Sequence, residues 1–208
     1  MTYDPGIHHR RSIRLRGHDY RGGGAYFVTC CVDGKESLFG RVVDSIMLIN
    51  ECGQVVHRAW AAIPQRFPSV VPDAFQVMPN HLHGILVIPG PGLEPSLAAA
   101  AGARVIQPTP VYTLAGASPG PTRDNRPSLG DVVGAFKSLS AIAVNRVLTR
   151  MGRRLFQEDY FEHVIRDFDS LAKIRDYILT NPARWRQDPE NPDRQPADKQ
   201  ADEWDWLR

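Results

Sequence analysis

Two histidines separated by one residue, His81-Leu82-His83, stand at the centre of the run Phe75-Gln-Val-Met-Pro-Asn-His-Leu-His-Gly-Ile-Leu-Val-Ile88. On a β-strand, residues i and i+2 project from one face roughly 6.5–7 Å apart, so two imidazoles at this spacing can converge on a single metal ion. Strict alternation supports the strand: His81, His83, Ile85 and Val87 fall on one face, and Leu82, Gly84, Leu86 and Ile88 on the other. A second chemically capable pair lies far down the chain, where Tyr177 and Asn181 stand four residues apart in Asp169-Ser-Leu-Ala-Lys-Ile-Arg-Asp-Tyr-Ile-Leu-Thr-Asn-Pro182. One helical turn apart, on the flank of a stripe made by Leu171, Ile174 and Ile178, a phenol and an amide oxygen can face one small target. Each pair alone also fits a packing role, as core histidines or as a packed tyrosine and a helix C-terminal asparagine.

The elements that must position these groups can be read on either side of them. Ala25-Tyr-Phe-Val-Thr-Cys-Cys-Val32 is rich in β-branched and aromatic residues and ends at Asp33-Gly34, a strand followed by a turn. Ile49, Cys52, Val56 and Trp60 share one helical face and predict a helix from Ile46 to Ala62, closed by Pro64. Strands at Ala74–Met78 and His81–Ile88 form a hairpin or one bent strand, with Pro79-Asn80 between them. Pro89 to Pro127 is poor in charge and crowded with Pro, Gly and Ala, which marks a flap or a disordered insertion. Ser128 with Asp131 approximates a capping box, and Val132, Phe136, Leu139 and Ala143 predict the buried stripe of the helix it opens, with Lys137 beside that stripe. Asp169 or Ser170 can cap the last helix, and Pro182 should stop it at about Asn181. This order of elements predicts an α+β fold, an antiparallel sheet with helices on one side.

Met78-Pro-Asn-His-Leu-His-Gly-Ile, Glu162-His-Val-Ile-Arg-Asp and Asp176-Tyr-Ile-Leu-Thr-Asn-Pro182 together resemble the signatures of single-tyrosine HUH transposases, most closely the REP-associated tyrosine transposases. The segment Arg10-Arg-Ser-Ile-Arg-Leu-Arg-Gly-His-Asp-Tyr-Arg-Gly-Gly-Gly-Ala-Tyr-Phe-Val-Thr29 resembles the opening of the same branch. The resemblance runs from about Arg10 to Trp185, interrupted by one insertion, with Phe156 where the branch often has Trp. It implies the ferredoxin-like HUH endonuclease fold, a divalent metal held by His81, His83 and Asn181, and Tyr177 as the nucleophile. It also implies a 5′-phosphotyrosyl intermediate, a free 3′-hydroxyl and palindromic DNA read as folded single strands.

The groups are suited to that chemistry. A tyrosine hydroxyl with a pKa near ~10 is a poor nucleophile at neutral pH and needs a general base or a charge-neutralised electrophile. A metal on His81 and His83 can polarise a phosphodiester oxygen while Tyr177 attacks phosphorus. Mixed imidazole and oxygen ligation suits Mg²⁺ or Mn²⁺ better than a structural zinc. The covalent link stores the energy of the broken phosphodiester, so no nucleotide cofactor is expected, and Gly22-Gly-Gly24 lacks the spacing and Lys of a phosphate loop. A zinc hydrolase built on His-x-His is disfavoured, because no third His or Asp follows at a plausible ligand spacing. A DNA hairpin-binding protein that keeps the fold without turnover is the remaining alternative.

At 208 residues with 42% hydrophobic side chains, the chain suits one domain with a sizeable core. Its organisation reads as a basic arm over 1–22, a catalytic domain over 23–187 with the insertion at 89–127, and an acidic tail over 188–208. A net charge of +2 is too small to announce nucleic-acid binding, but its distribution is uneven. Arg10, Arg11, Arg14 and Arg16 in the arm, with Lys137 and Arg166, are candidate phosphate contacts, and the arm would grip the base of a hairpin. The tail carries the opposite charge and can lie across the basic surface or remain solvated. No run approaches the ~18 apolar residues needed to span a bilayer, and no secretory signal is evident, so a cytoplasmic, nucleoid-associated monomer or homodimer is expected, with no membrane partner. Cys30, Cys31 and Cys52 form no C-x-x-C pair and read as reduced packing residues.

Overall fold

A computed structural model of the chain describes residues 18–20, 23–91, 93, 97 and 126–195. Strand β1 spans Gly24–Cys31, a short hairpin pairs β2 (Gly40–Val43) with β3 (Ile46–Ile49), and helices α1 (Glu51–Ala61) and α2 (Ile63–Arg66) follow. Strands β4 (Val71–Val77) and β5 (His81–Ile88) come next, then helix α3 (Leu129–Val147), strand β6 (Phe161–Ile165) and helix α4 (Phe168–Arg184). The main sheet has the order β4-β5-β1-β6, antiparallel at every pairing. Numbered by their order in the main sheet alone, these strands run 2-3-1-4, the ferredoxin-like arrangement of two β-α-β halves. The α+β expectation therefore stands.

Met78-Pro79-Asn80 turns β4 into β5, with the Met78 N–H donating to the His81 carbonyl at 2.8 Å. The two strands are thus a hairpin rather than one bent strand. Register places His83 opposite Thr29 and His81 opposite Cys31 across the β1–β5 pair.

Helices cover both faces of the sheet, not one. On one face Tyr26, Val28, Cys30, Leu82, Leu86 and Ile88 pack against Cys52, Val56 and Trp60 of α1 and Leu129, Val132 and Phe136 of α3. On the other, Ala25, Phe27, Ile85, Val87 and Ile165 pack against Leu171, Ile174, Tyr177 and Ile178 of α4. Strand alternation makes this possible, since apolar side chains leave β1 and β5 on both sides. At Gly84 the strand and the α1 indole approach closely: a Cβ there would meet Trp60 Cζ2 at 2.4 Å.

Three further expectations need correction. The predicted helix from Ile46 is a strand until Ile49, because Asp44 and Ser45, with φ of 49° and 64°, form a tight left-handed turn that folds β3 back on β2. Asn50 then caps α1 by accepting from the Gly53 N–H at 3.0 Å, so the helical spacing of Ile49 and Cys52 spans a boundary. In α3 the capping box of Ser128 and Asp131 is present and Val132 and Phe136 are buried as expected, but the buried line continues through Ser140 and Val144, leaving Leu139 46% exposed. Helix α4 is capped by Asp167, whose carboxylate accepts from the Ser170 N–H at 2.7 Å, and it continues through Pro182 to Arg184. A proline inside a helix removes one hydrogen bond, and here the burial of the Pro182 ring works against that loss.

Candidate metal centre and nucleophile

The two histidines leave the α4 face of β5 with almost no exposure. Their Nε2 atoms approach to 3.0 Å, the convergence that the His-x-His spacing suggested. Their other nitrogens are held from behind. His81 Nδ1 lies 2.9 Å from Asn80 Oδ1, and His83 Nδ1 lies 2.8 Å from Thr29 Oγ1. The Asn80 amide is oriented by its own donors, since Nδ2 donates to the carbonyls of Lys35 at 3.1 Å and Glu190 at 2.6 Å. Its oxygen must therefore accept from His81, which places the proton on Nδ1 and a lone pair on Nε2. Burial pushes the His81 pKa down to about 4, so the ring is neutral near pH 7 and available as a ligand.

A carboxylate completes the cluster. Asp188 Oδ2 lies 3.7 Å from His81 Nε2, and ligand atoms of His81, His83 and Asp188 all fall within 4.8 Å of one another. This buried group can hold a metal ion. Adjacent ligands of an ion with bonds of 2.0–2.1 Å sit about 3 Å apart, so the spacing fits without large rearrangement. The expectation that no third His or Asp has a usable position is overturned, because the chain doubles back after α4 and buries Asp188. Residues 188–195 thus begin as part of the body: Asn191 is also buried, and its Nδ2 donates to the Trp185 carbonyl at 3.0 Å.

Helix α4 brings Tyr177 to the same place. Its ring centroid lies 5.2 Å from that of His83 and 5.9 Å from that of Phe27, while Trp185, two turns further on, lies 6.0 Å from His81. Asn181 stands on the same helical face between Tyr177 and Trp185 and is buried, and its Oδ1 has no hydrogen-bond partner. A buried amide oxygen without a donor costs roughly 1–3 kcal/mol, and a cation in front of it removes that cost. Two imidazole nitrogens, a carboxylate and an orphaned amide oxygen form a donor set that fits a divalent metal.

Helix α4 is tied to the sheet by one further contact. Arg175 Nε and Nη2 donate to the Asp73 carboxylate at 2.7 and 2.6 Å, and Asp73 lies at the register shift of β4 between Pro72 and Phe75.

Of the candidate phosphate contacts, Lys137 and Arg166 are among the described residues. Arg10, Arg11, Arg14 and Arg16, most of the insertion at 89–127 and the tail beyond 195 lie outside the described residues. Arg166 is exposed just after β6. Lys137 turns its ammonium inward to the carbonyls of Gln157 and Glu158, both at 2.7 Å, and of Asp159 at 3.4 Å. Sequence reasoning missed Asn80, Thr29 and Asp188. Asp188 follows Tyr177 by eleven residues, about three helical turns, and that spacing was its one available signal.

No family model matches the chain. It is 36% identical over 192 residues to an uncharacterized protein of Haemophilus influenzae, covering 89% of this chain and 95% of that protein. Among solved structures, a REP-associated tyrosine transposase bound to a REP hairpin matches with a TM-score of 0.50 at 16% identity, over 91% of this chain and 92% of the other. A putative transposase from Deinococcus radiodurans R1 matches with a TM-score of 0.41 at 16% identity, over 80% of this chain and 95% of the other.

Proposed function

We propose, for a chain that belongs to one family with the Haemophilus influenzae protein and has the fold of the REP-associated tyrosine transposase, a metal-dependent endonuclease and strand transferase acting on hairpin-forming single-stranded DNA. The observation that carries this reading is the meeting of Tyr177 with the paired Nε2 atoms of His81 and His83 in one buried site.

His81, His83 and Asn181 would hold the ion, Mg²⁺ or Mn²⁺, with the His81 imidazole kept in the ligating tautomer by Asn80 and the His83 ring held in place by Thr29. When bound, the ion polarises a phosphodiester oxygen and offsets the charge of an in-line transition state. Tyr177 is the nucleophile. Its Oη bonds to phosphorus as the P–O3′ bond breaks, and the phenolic proton passes, directly or through water, to the departing 3′ oxygen. The product is a 5′-phosphotyrosyl link with a free 3′-hydroxyl, and attack by a 3′-hydroxyl reverses the step and rejoins a strand without ATP. Phe27 stacks on His83 with centroids 5.4 Å apart, which fixes the ring against the sheet. DNA is the partner by two arguments: the solved neighbour carries a REP hairpin, and Arg10, Arg11, Arg14 and Arg16 crowd an arm ahead of β1.

The test is incubation with a library of hairpin-containing single-stranded oligonucleotides and Mn²⁺, scored for cleavage and for covalent attachment. Wild-type protein should form an adduct, and Tyr177→Phe should form none while binding the same hairpins. Adduct retained in Tyr177→Phe removes this nucleophile. Hairpin binding with neither cleavage nor adduct in the wild type makes the protein a non-catalytic binder of the same fold.

A further inference from the structure

The chain after α4 does more than leave the domain. Between Asp188 and Asn191 it forms a built turn: the Asp188 N–H donates to the Trp185 carbonyl at 3.1 Å, the Asn191 N–H to the Asp188 carbonyl at 3.0 Å, and the Glu190 N–H to Asp188 Oδ1 at 2.7 Å. Those contacts aim the second carboxylate oxygen at His81. The turn also grips the residue behind that histidine, because the Glu190 carbonyl accepts from Asn80 Nδ2 at 2.6 Å and the Glu190 carboxylate pairs with Lys35 at 3.2 Å.

Asn80 fixes a lone pair on His81 Nε2, and that atom faces both His83 Nε2 at 3.0 Å and Asp188 Oδ2 at 3.7 Å. Two imidazole nitrogens and a carboxylate oxygen converging in one buried place are an arrangement that a cation among them stabilises. We propose that Asp188 is a ligand of the same ion as His81 and His83, and that the metal thereby clasps the turn Asp188–Asn191 onto the end of β5. This deepens the metal reading above and rests on it. It gives the site one formal negative charge where two imidazoles and an amide would give none, which favours a hard divalent ion. It also makes metal binding and docking of the C-terminal segment one linked equilibrium, in which each strengthens the other by the same factor.

The experiment pairs Mn²⁺ titration, followed by electron paramagnetic resonance of the free ion, with hydrogen exchange of the full chain. In the wild type, Mn²⁺ should slow exchange across residues 188–194. Asp188→Asn should weaken Mn²⁺ binding by a factor on the order of 100 and abolish that slowing, with exchange in α1 and α3 unchanged. Asp188→Glu, which keeps the carboxylate, should recover part of the affinity. Lys35→Ala, which loosens the turn without removing a ligand, should weaken Mn²⁺ only a few-fold. Unchanged affinity and unchanged exchange slowing in Asp188→Asn overturn the clasp while leaving the histidine site intact, provided His81→Ala still abolishes binding. Undiminished binding in both variants overturns the metal site itself.

Discussion

The two faces of the central sheet are closed by different materials. Toward α1 and α3 the strands present an apolar surface without a polar group from β5: Leu82, Leu86 and Ile88 meet Trp60, Val132 and Phe136, and Gly84 yields its volume to the indole. Toward α4 the same strand is apolar only at one end, where Ile85 and Val87 meet Leu171, Ile174 and Ile178. Its other end carries His81 and His83, met by Thr29, Tyr177 and Asp188. One strand thus serves the core with one set of side chains and a candidate metal site with the alternate set. The polar end of the second face is secured by hydrogen bonds at fixed distances rather than by packed area.

The sharpest way to break that division is to remove a histidine. His81→Ala or His83→Ala should eliminate metal-dependent cleavage and adduct formation, as EDTA should in the wild type, with Mn²⁺ restoring activity only there. Cleavage undiminished in EDTA would make both imidazoles structural. The opposite probe is Phe136→Ala. It should cost about 3–5 kcal/mol of stability, read as a lowered unfolding midpoint. The protein that remains folded should bind Mn²⁺ and cleave at the wild-type rate per folded molecule, and a loss of metal affinity would show that the two faces are coupled. The smallest effect on stability, and the most informative about alignment, is expected of Asp73→Ala. Removing the bidentate partner of Arg175 should cost about 1.5–3 kcal/mol, the range for hydrogen bonds to charged groups. Because Arg175 stands two residues before Tyr177, a shift of α4 of about 1 Å should slow adduct formation by on the order of 100-fold. Mn²⁺ affinity should hardly change, and Asp73→Glu should restore part of the rate.

The parts of the site legible in the sequence were those written in local periods. His81 and His83 follow the strand period and Tyr177 and Asn181 the helix period, and the structure places each on the face expected. What escaped were residues whose position depends on a non-local event. Asp188 reaches the histidines because α4 passes through Pro182 and the chain then turns back, whereas Pro182 reads locally as a stop. Asn80 looks like a turn residue, and its second task is set by Lys35 and Glu190, 45 and 110 residues away. The hairpin of β2 and β3 was missed for the converse reason: Ile49 and Cys52 mimic a helical interval across a cap, and the true signal was the pair of small polar residues Asp44-Ser45. The placement of helices on both faces was equally non-local: the crossovers α1 and α3 share one face, and α4, which follows the last strand, is free of any crossover constraint and packs on the other.

The position of α4 at the far end of the chain also orders events during synthesis. Thr29, Asn80, His81 and His83 have all been made by the time β5 is complete, but Tyr177 arrives some ninety residues later. A nascent or prematurely ended chain can therefore assemble the hairpin of β4 and β5, with its two imidazoles, while lacking Tyr177, the nucleophile proposed above. Domains gain their N-terminal parts first during translation, and contacts between β5 and α4 close one of the longest loops in the chain. On the proposed mechanism, the residues of the site that follow β6, Tyr177 and Asp188 among them, are thus the late arrivals to a sheet whose histidines are already made.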